Sequence, residues 1–167
     1  QNDEAAEFLK KSASLFSEIG DRKRETRVLS ELGLSFQYLG RYKDAITTYQ
    51  KGLVIAKKLE ILQSQDQFLC NLAAAYDAVG DYPKAIECQE QSLELALSTG
   101  DPENQESSLH NLGLIYFNLS DYSTALDYQQ RSLEIAQVNG SKDGILQAMI
   151  ALGRTWQAMG DVDKALY

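Results

Sequence analysis

Apolar residues along this chain recur at i, i+3, i+4 and i+7, the spacing of one helical face. Leu29, Leu32, Gly33 and Phe36 trace one such stripe, and Ala45, Tyr49, Leu53 and Ala56 trace the next. Short glycine-containing links separate the stripes, as at Leu39-Gly40-Arg41 and Val79-Gly80-Asp81, and again at Gly20-Asp21, Gly100-Asp101-Pro102 and Gly140-Ser141. Glycine permits the left-handed backbone that ends a helix. Asp101-Pro102-Glu103 reads as a helix start, because the carboxylate can cap free N–H groups and proline fits the first turn. Glu60-Ile61 is the one junction between helix pairs without glycine, which predicts a turn of different geometry. The pattern predicts helices over 3–19, 22–38, 42–59, 62–78, 82–98, 102–118, 122–138, 142–158 and 162–167.

The stripes repeat every forty residues without insertion. Leu32 leads to Leu72, Leu112 and Leu152; Gly33 to Ala73, Gly113 and Gly153; Phe36 to Tyr76, Tyr116 and Trp156. Tyr42 leads to Tyr82, Tyr122 and Val162, and Ala45 to Ala85, Ala125 and Ala165. Small residues at fixed points let paired helices approach, and the aromatic three residues on fills the space beside them. The expectation is an all-α fold, an α-solenoid of antiparallel helix hairpins, with residues 1–167 forming a single array of about four 40-residue repeat lengths. The pattern starts and stops within second helices, and Gln1 follows neither a Met nor a leader. A piece of a longer chain is therefore expected, with self-association through exposed terminal helices.

Charge narrows the function. Sixteen basic and twenty-four acidic residues give a net charge of -8, which argues against nucleic acid because phosphate neutralisation needs a basic face. Residues 1–60 hold eleven Lys/Arg against nine Asp/Glu, whereas residues 61–167 hold five against fifteen. No run of apolar residues is long enough to span a membrane. Cys70 and Cys88, with one histidine in the chain, are too few ligands for a structural zinc site. Reduced thiols in a cytoplasmic protein are expected, with no metal and no cofactor. No glycine-rich phosphate loop or convincing triad is present, so the chain is not expected to be an enzyme. A Cys70–His110 dyad is improbable on the spacing of neighbouring helices. Arg22-Lys23-Arg24 reads as a solvated helix start that leaves some room for an acidic partner.

Leu32-Gly33-x-x-Phe36 with Gly40, Tyr42 and Ala45 resembles the tetratricopeptide repeat (TPR) signature. So do Leu72-Ala73-x-x-Tyr76 with Gly80, Tyr82 and Ala85, Leu112-Gly113-x-x-Tyr116 with Tyr122 and Ala125, and Leu152-Gly153-x-x-Trp156 with Gly160 and Ala165. The period exceeds the family's usual 34 residues. Together with endings such as Leu53-Val54-Ile55-Ala56, it is similar to a long-repeat subgroup that includes kinesin light chains, Pins-type adaptors and bacterial multidomain proteins.

The resemblance implies a right-handed superhelix whose first helices line a concave, peptide-binding groove. Carried onto this chain, the groove candidates are Arg27, Gln37, Gln67, Asn71, Asn111, Phe117, Asn118, Gln147, Arg154 and Gln157. Asn71 and Asn111 precede the Leu-Ala and Leu-Gly pairs, where the family often places an asparagine that bonds ligand backbone; amides both donate and accept. Arg27 and Arg154 would add charge selectivity. They lie far apart with Glu31 and Asp77 between, which disfavours a clamp for a terminal carboxylate. The implied function is a protein–protein interaction scaffold that binds a peptide segment of a partner. The alternatives are a regulatory or sensor segment of a larger bacterial signalling or effector enzyme, and a structural spacer.

Overall fold

In a computed structural model the described residues, 2–161, form eight helices. They are α1 (Asn2–Glu18), α2 (Arg22–Tyr38), α3 (Tyr42–Lys58), α4 (Leu62–Ala78), α5 (Tyr82–Thr99), α6 (Pro102–Asn118), α7 (Tyr122–Asn139) and α8 (Lys142–Ala158). The architecture is all-α, a helical repeat of the solenoid class. The predicted helix over 162–167, with Val162 and Ala165, lies outside the described residues. The chain divides into two compact units, Gln1–Cys88 and Gln89–Tyr167, with the division inside α5. In the first unit α1, α2, α3 and α4 pack in sequence; in the second α6, α7 and α8 do.

Small residues set the depth of packing. In the first unit the fully buried Tyr49 ring occupies the place where a Cβ on Gly33 would sit, 2.1 Å from its Cε1. One turn further on, Phe68 of α4 presses on Gly52 of α3, where a Cβ would meet its Cζ at 2.2 Å. Ala45 and Ala56 are also fully buried, with Leu29, Leu32, Leu69 and Leu72 around them. In the second unit Gly113 admits Gln129, and Leu109, Leu112, Ala125, Ala136, Ala148 and Leu152 complete the core.

Each turn between helix pairs closes by one rule. A residue two or three positions past the helix donates its N–H back to a carbonyl five residues earlier: Asp21 to Phe16, Ile61 to Ala56, Asp101 to Ala96 and Ser141 to Ala136, at 2.9–3.0 Å. Gly20, Gly100 and Gly140 are left-handed there, and so is Glu60, at φ 53°. The different geometry expected at Glu60-Ile61 is therefore absent. The backbone bond dictates the turn, and Glu60 accepts the strain of a left-handed non-glycine residue. Ser120 does the same at φ 62°. Asp101 caps α6 through the Asn104 N–H, as its sequence predicts, and Asp21, Asp121 and Ser141 cap α2, α7 and α8.

The run Arg22-Lys23-Arg24 is more than a solvated start. Arg22 reaches the fully buried Glu25 carboxylate at 2.6 Å, and Lys51 of α3 reaches its other oxygen at 3.0 Å. Arg24 pairs with Asp21 at 3.3 Å. Large apolar side chains stay exposed on α1 (Phe8, Leu15), just past its end (Ile19) and on α8 (Leu146, Met149, Ile150). No helix among the described residues is long and apolar enough to cross a membrane.

Candidate binding face

Within each unit the first helices of successive hairpins, α2 with α4 and α6 with α8, enclose a cavity. Helical spacing explains the lining: Lys23, Arg27, Glu31 and Leu34 recur along one face of α2, and Ser107, His110 and Asn111 along one face of α6.

The first unit's cavity is about 360 Å³. Lys23, Arg27, Glu31 and Leu34 face Gln63, Ser64 and Gln67 across it, over a floor of Thr26, Ser30 and Phe68. Two predicted residues, Arg27 and Gln67, thus come together. Neither Lys23 nor Arg27 has an ion-pair partner among the described residues. Two further candidates stand apart. Gln37 accepts a 2.5 Å hydrogen bond from the Tyr49 hydroxyl, so part of its capacity holds α2 to α3. Asn71 is half-buried, and its Nδ2 has no partner.

The second unit's cavity is about 150 Å³, lined by Glu106, Ser107, His110, Asn111, Ser132, Gly144 and Gln147. It unites Asn111 and Gln147. Further along the same two helices the Arg154 guanidinium lies over the Phe117 ring, 5.5 Å from its centroid, and Phe117 also packs on Tyr122. Gln157 and Asn118 are exposed near the helix ends. Ala151, which shares the repeat position of Asn71 and Asn111, is buried in the core.

The electrostatics of the two cavities differ. Glu106 is half-buried, and burial pushes its carboxyl above the usual range; a 3.4 Å contact with Ser141 Oγ pulls the other way. Burial pushes the His110 imidazole below its usual value, and its Nδ1 has no hydrogen-bond partner. Spacing alone does not expose Glu106. A glycine in the first turn of α8 is its one signal, because Gly144 is unfavourable in a helix unless something needs the space.

Chemistry of other kinds finds little support. No group of three potential metal ligands exists among the described residues. Cys70 and Cys88 are half-buried and form no disulfide. Burial pushes the Cys88 thiol up to about 11, so it stays protonated at neutral pH. Cys70 and His110 belong to different units.

Tetratricopeptide repeat models match residues 28–62, 66–137 and 104–167. No curated protein sequence matches. The apo form of RapI superposes with a TM-score of 0.86 at 17% identity, over 96% of this chain and 45% of that one. The kinesin light chain TPR-like repeats of Podosopora anserina give 0.83 at 22% identity, over 99% and 82%. A Rap protein complexed with competence and sporulation factor gives 0.80 at 18%, over 96% and 45%. The chain thus spans under half the length of the Rap structures, and these likenesses describe its fold.

Proposed function

The chain belongs to the tetratricopeptide repeat family, a repeat scaffold for protein interactions, and from that premise we propose that its first helices bind a peptide segment of a partner protein. The carrying observation is in the second unit. Asn111 and Gln147 share one cavity, and the Arg154–Phe117 pair continues the same face. Amides offer donors and acceptors to an extended backbone, and a cation held over a ring offers a flat anchor for a side chain. The Rap protein solved with competence and sporulation factor supports a protein-binding role by analogy of fold alone. The role requires no catalysis, and half-buried thiols outside any disulfide suit a cytoplasmic setting.

The test is a paired pull-down with the chain and its Asn71→Ala/Asn111→Ala/Arg154→Ala variant, matched first for helical circular dichroism. A partner retained by the first and lost by the second is expected. Equal retention moves binding to another surface, and no retention by either favours the spacer. A second reading, self-association, rests on the exposed apolar residues of α1 and α8. Sedimentation of a Phe8→Glu/Ile150→Glu variant decides it: the reading requires a concentration-dependent dimer that the variant loses.

A further inference from the structure

We infer that the cavity between α6 and α8 is a subsite for a cationic side chain, an arginine of the bound partner segment, with Glu106 as its counter-charge. The inference rests on the reading of this face as a peptide-binding surface and says which side chain it selects.

Four independent features of the second unit converge on it. Glu106 is a half-buried acid with no ion-pair partner among the described residues. A buried charge normally finds one, and here the opposite charge is missing while a cavity of about 150 Å³ lies beside the acid. The space is built deliberately. A Cβ on residue 144 would stand 1.8 Å from Glu106 Oε1, so Gly144 is what lets the carboxylate lie there. Ser141 helps twice, since its hydroxyl caps the Gly144 N–H at 3.1 Å and lies 3.4 Å from the same carboxylate oxygen. The remaining lining includes side chains able to accept: Ser107, Asn111, Gln147 and His110, whose buried Nδ1 has no partner among the described residues. Finally, residues 89–167 carry eleven acidic against four basic side chains, a field that draws cations in.

Guanidinium fits this set better than ammonium. Its five donors in a planar fork can serve a carboxylate and flanking amides together, and it sheds water more easily. A transition metal is poorly served, because Glu106 and His110 are the only His, Cys, Asp or Glu among the lining residues, and no group of three such residues exists among the described residues. Burial pushes Glu106 up, so its charge gains from an arriving cation, and pushes His110 down, which favours the neutral imidazole that a neighbouring cation tolerates.

The probe is acetyl-Ala-Arg-Ala-amide against the same peptide with citrulline, which keeps the shape and removes the charge. Each is titrated into the ¹⁵N-labelled chain and followed by amide shifts. The expected result is perturbation of residues 106–111 and 144–147, with arginine binding about tenfold more tightly than citrulline. Glu106→Gln should bring arginine down to the citrulline level. Gly144→Ala should do the same with unchanged helical circular dichroism, by pushing the carboxylate out. Equal binding of the two peptides, perturbation confined to other residues, or full discrimination retained in Glu106→Gln overturns the subsite. So does zinc chloride binding the same residues more tightly than the arginine peptide. The two readings fail separately. Loss of a partner in the triple variant without arginine discrimination removes this subsite and leaves the groove. Arginine discrimination with full partner retention by the triple variant removes the groove and leaves the cation site.

Discussion

Between helices of Gln1–Cys88 the close contacts are rings resting on glycines, whereas in Gln89–Tyr167 the same repeat positions carry amides and hydroxyls. Tyr49 sits on Gly33 and Phe68 on Gly52 in the first unit. Eighty residues after Tyr49 and Gly33, Gln129 sits on Gly113, and forty residues after Gly52 and Phe68, Ser92 meets Ser108 by a buried 3.1 Å hydrogen bond. Gln129 also accepts from Thr155 at 2.9 Å. The second unit fills these positions with smaller, polar side chains, so the helix pattern repeats while the chemistry between the helices does not. The first unit gains from apolar area, and the second from hydrogen bonds whose net worth is smaller but whose loss strands a polar group. The cavities diverge likewise: among the described residues Lys23 and Arg27 in one, and Glu106 in the other, have no ion-pair partner.

The sharpest way to break this contrast is to truncate equivalent residues. Phe68→Ala should cost about 4 kcal/mol in urea unfolding, because it removes a buried ring over a glycine. Ser108→Ala should cost only about 1 kcal/mol, the worth of one hydrogen bond. Equal losses would show that the two cores are held in the same way.

Next comes Glu25→Ala, at about 3 kcal/mol near neutral pH, since it leaves Arg22 and Lys51 without their buried partner. Burial raises the Glu25 carboxyl, but hydrogen bonds and charge from Lys51 and Arg22 outweigh it and hold it below the usual carboxylate range. The folded value lies below the unfolded one. The stabilisation is thus present above the ordinary carboxylate range and is lost as pH falls through the depressed value. Stability measured against pH for the chain and the variant should converge on acidification.

Glu60→Gly and Ser120→Gly, one in each unit, should each stabilise by about 0.5–1 kcal/mol by relieving left-handed strain. Thermal unfolding checks both, and a loss in either would show that its side chain contributes more than its backbone costs.

The smallest effect has the opposite sign from Glu25. The Glu106 carboxyl is raised by burial, so its charged form weakens the fold as pH rises through that raised value. Glu106→Gln should stabilise by on the order of 0.5 kcal/mol at neutral pH, and the gain should vanish at low pH. A destabilised variant would mean that Glu106 holds the fold together instead of weakening it.

Much of the fold was legible in the residues. The eight helices fall within one position of their predicted bounds at every end. Helix period, capping side chains and glycine stops are local signals, readable without knowing what packs where. The junction at Glu60 was misread because a local preference for glycine was taken as a requirement, and tertiary packing of the flanking helices tolerates the strain. The lining of the two cavities was half legible. Arg27, Gln67, Asn111 and Gln147 were named as groove candidates and do line the cavities, but Gln63, Glu106 and Gly144 were not named, because each draws its meaning from a neighbour on another helix.

The amino-acid sequence by itself determined the helices, their forty-residue register and the small residues that let them touch, since all three follow from spacing along one chain. Tertiary structure alone decided which charges are buried with partners and which are left waiting. Glu25 and Glu106 are the same residue type on first helices of their hairpins. One lies between Arg22 and Lys51, and the other lies beside a cavity opened by a glycine thirty-eight positions away. The physical reason is that a carboxylate's state depends on the charges and water within a few ångströms, and those neighbours come from elsewhere in the chain.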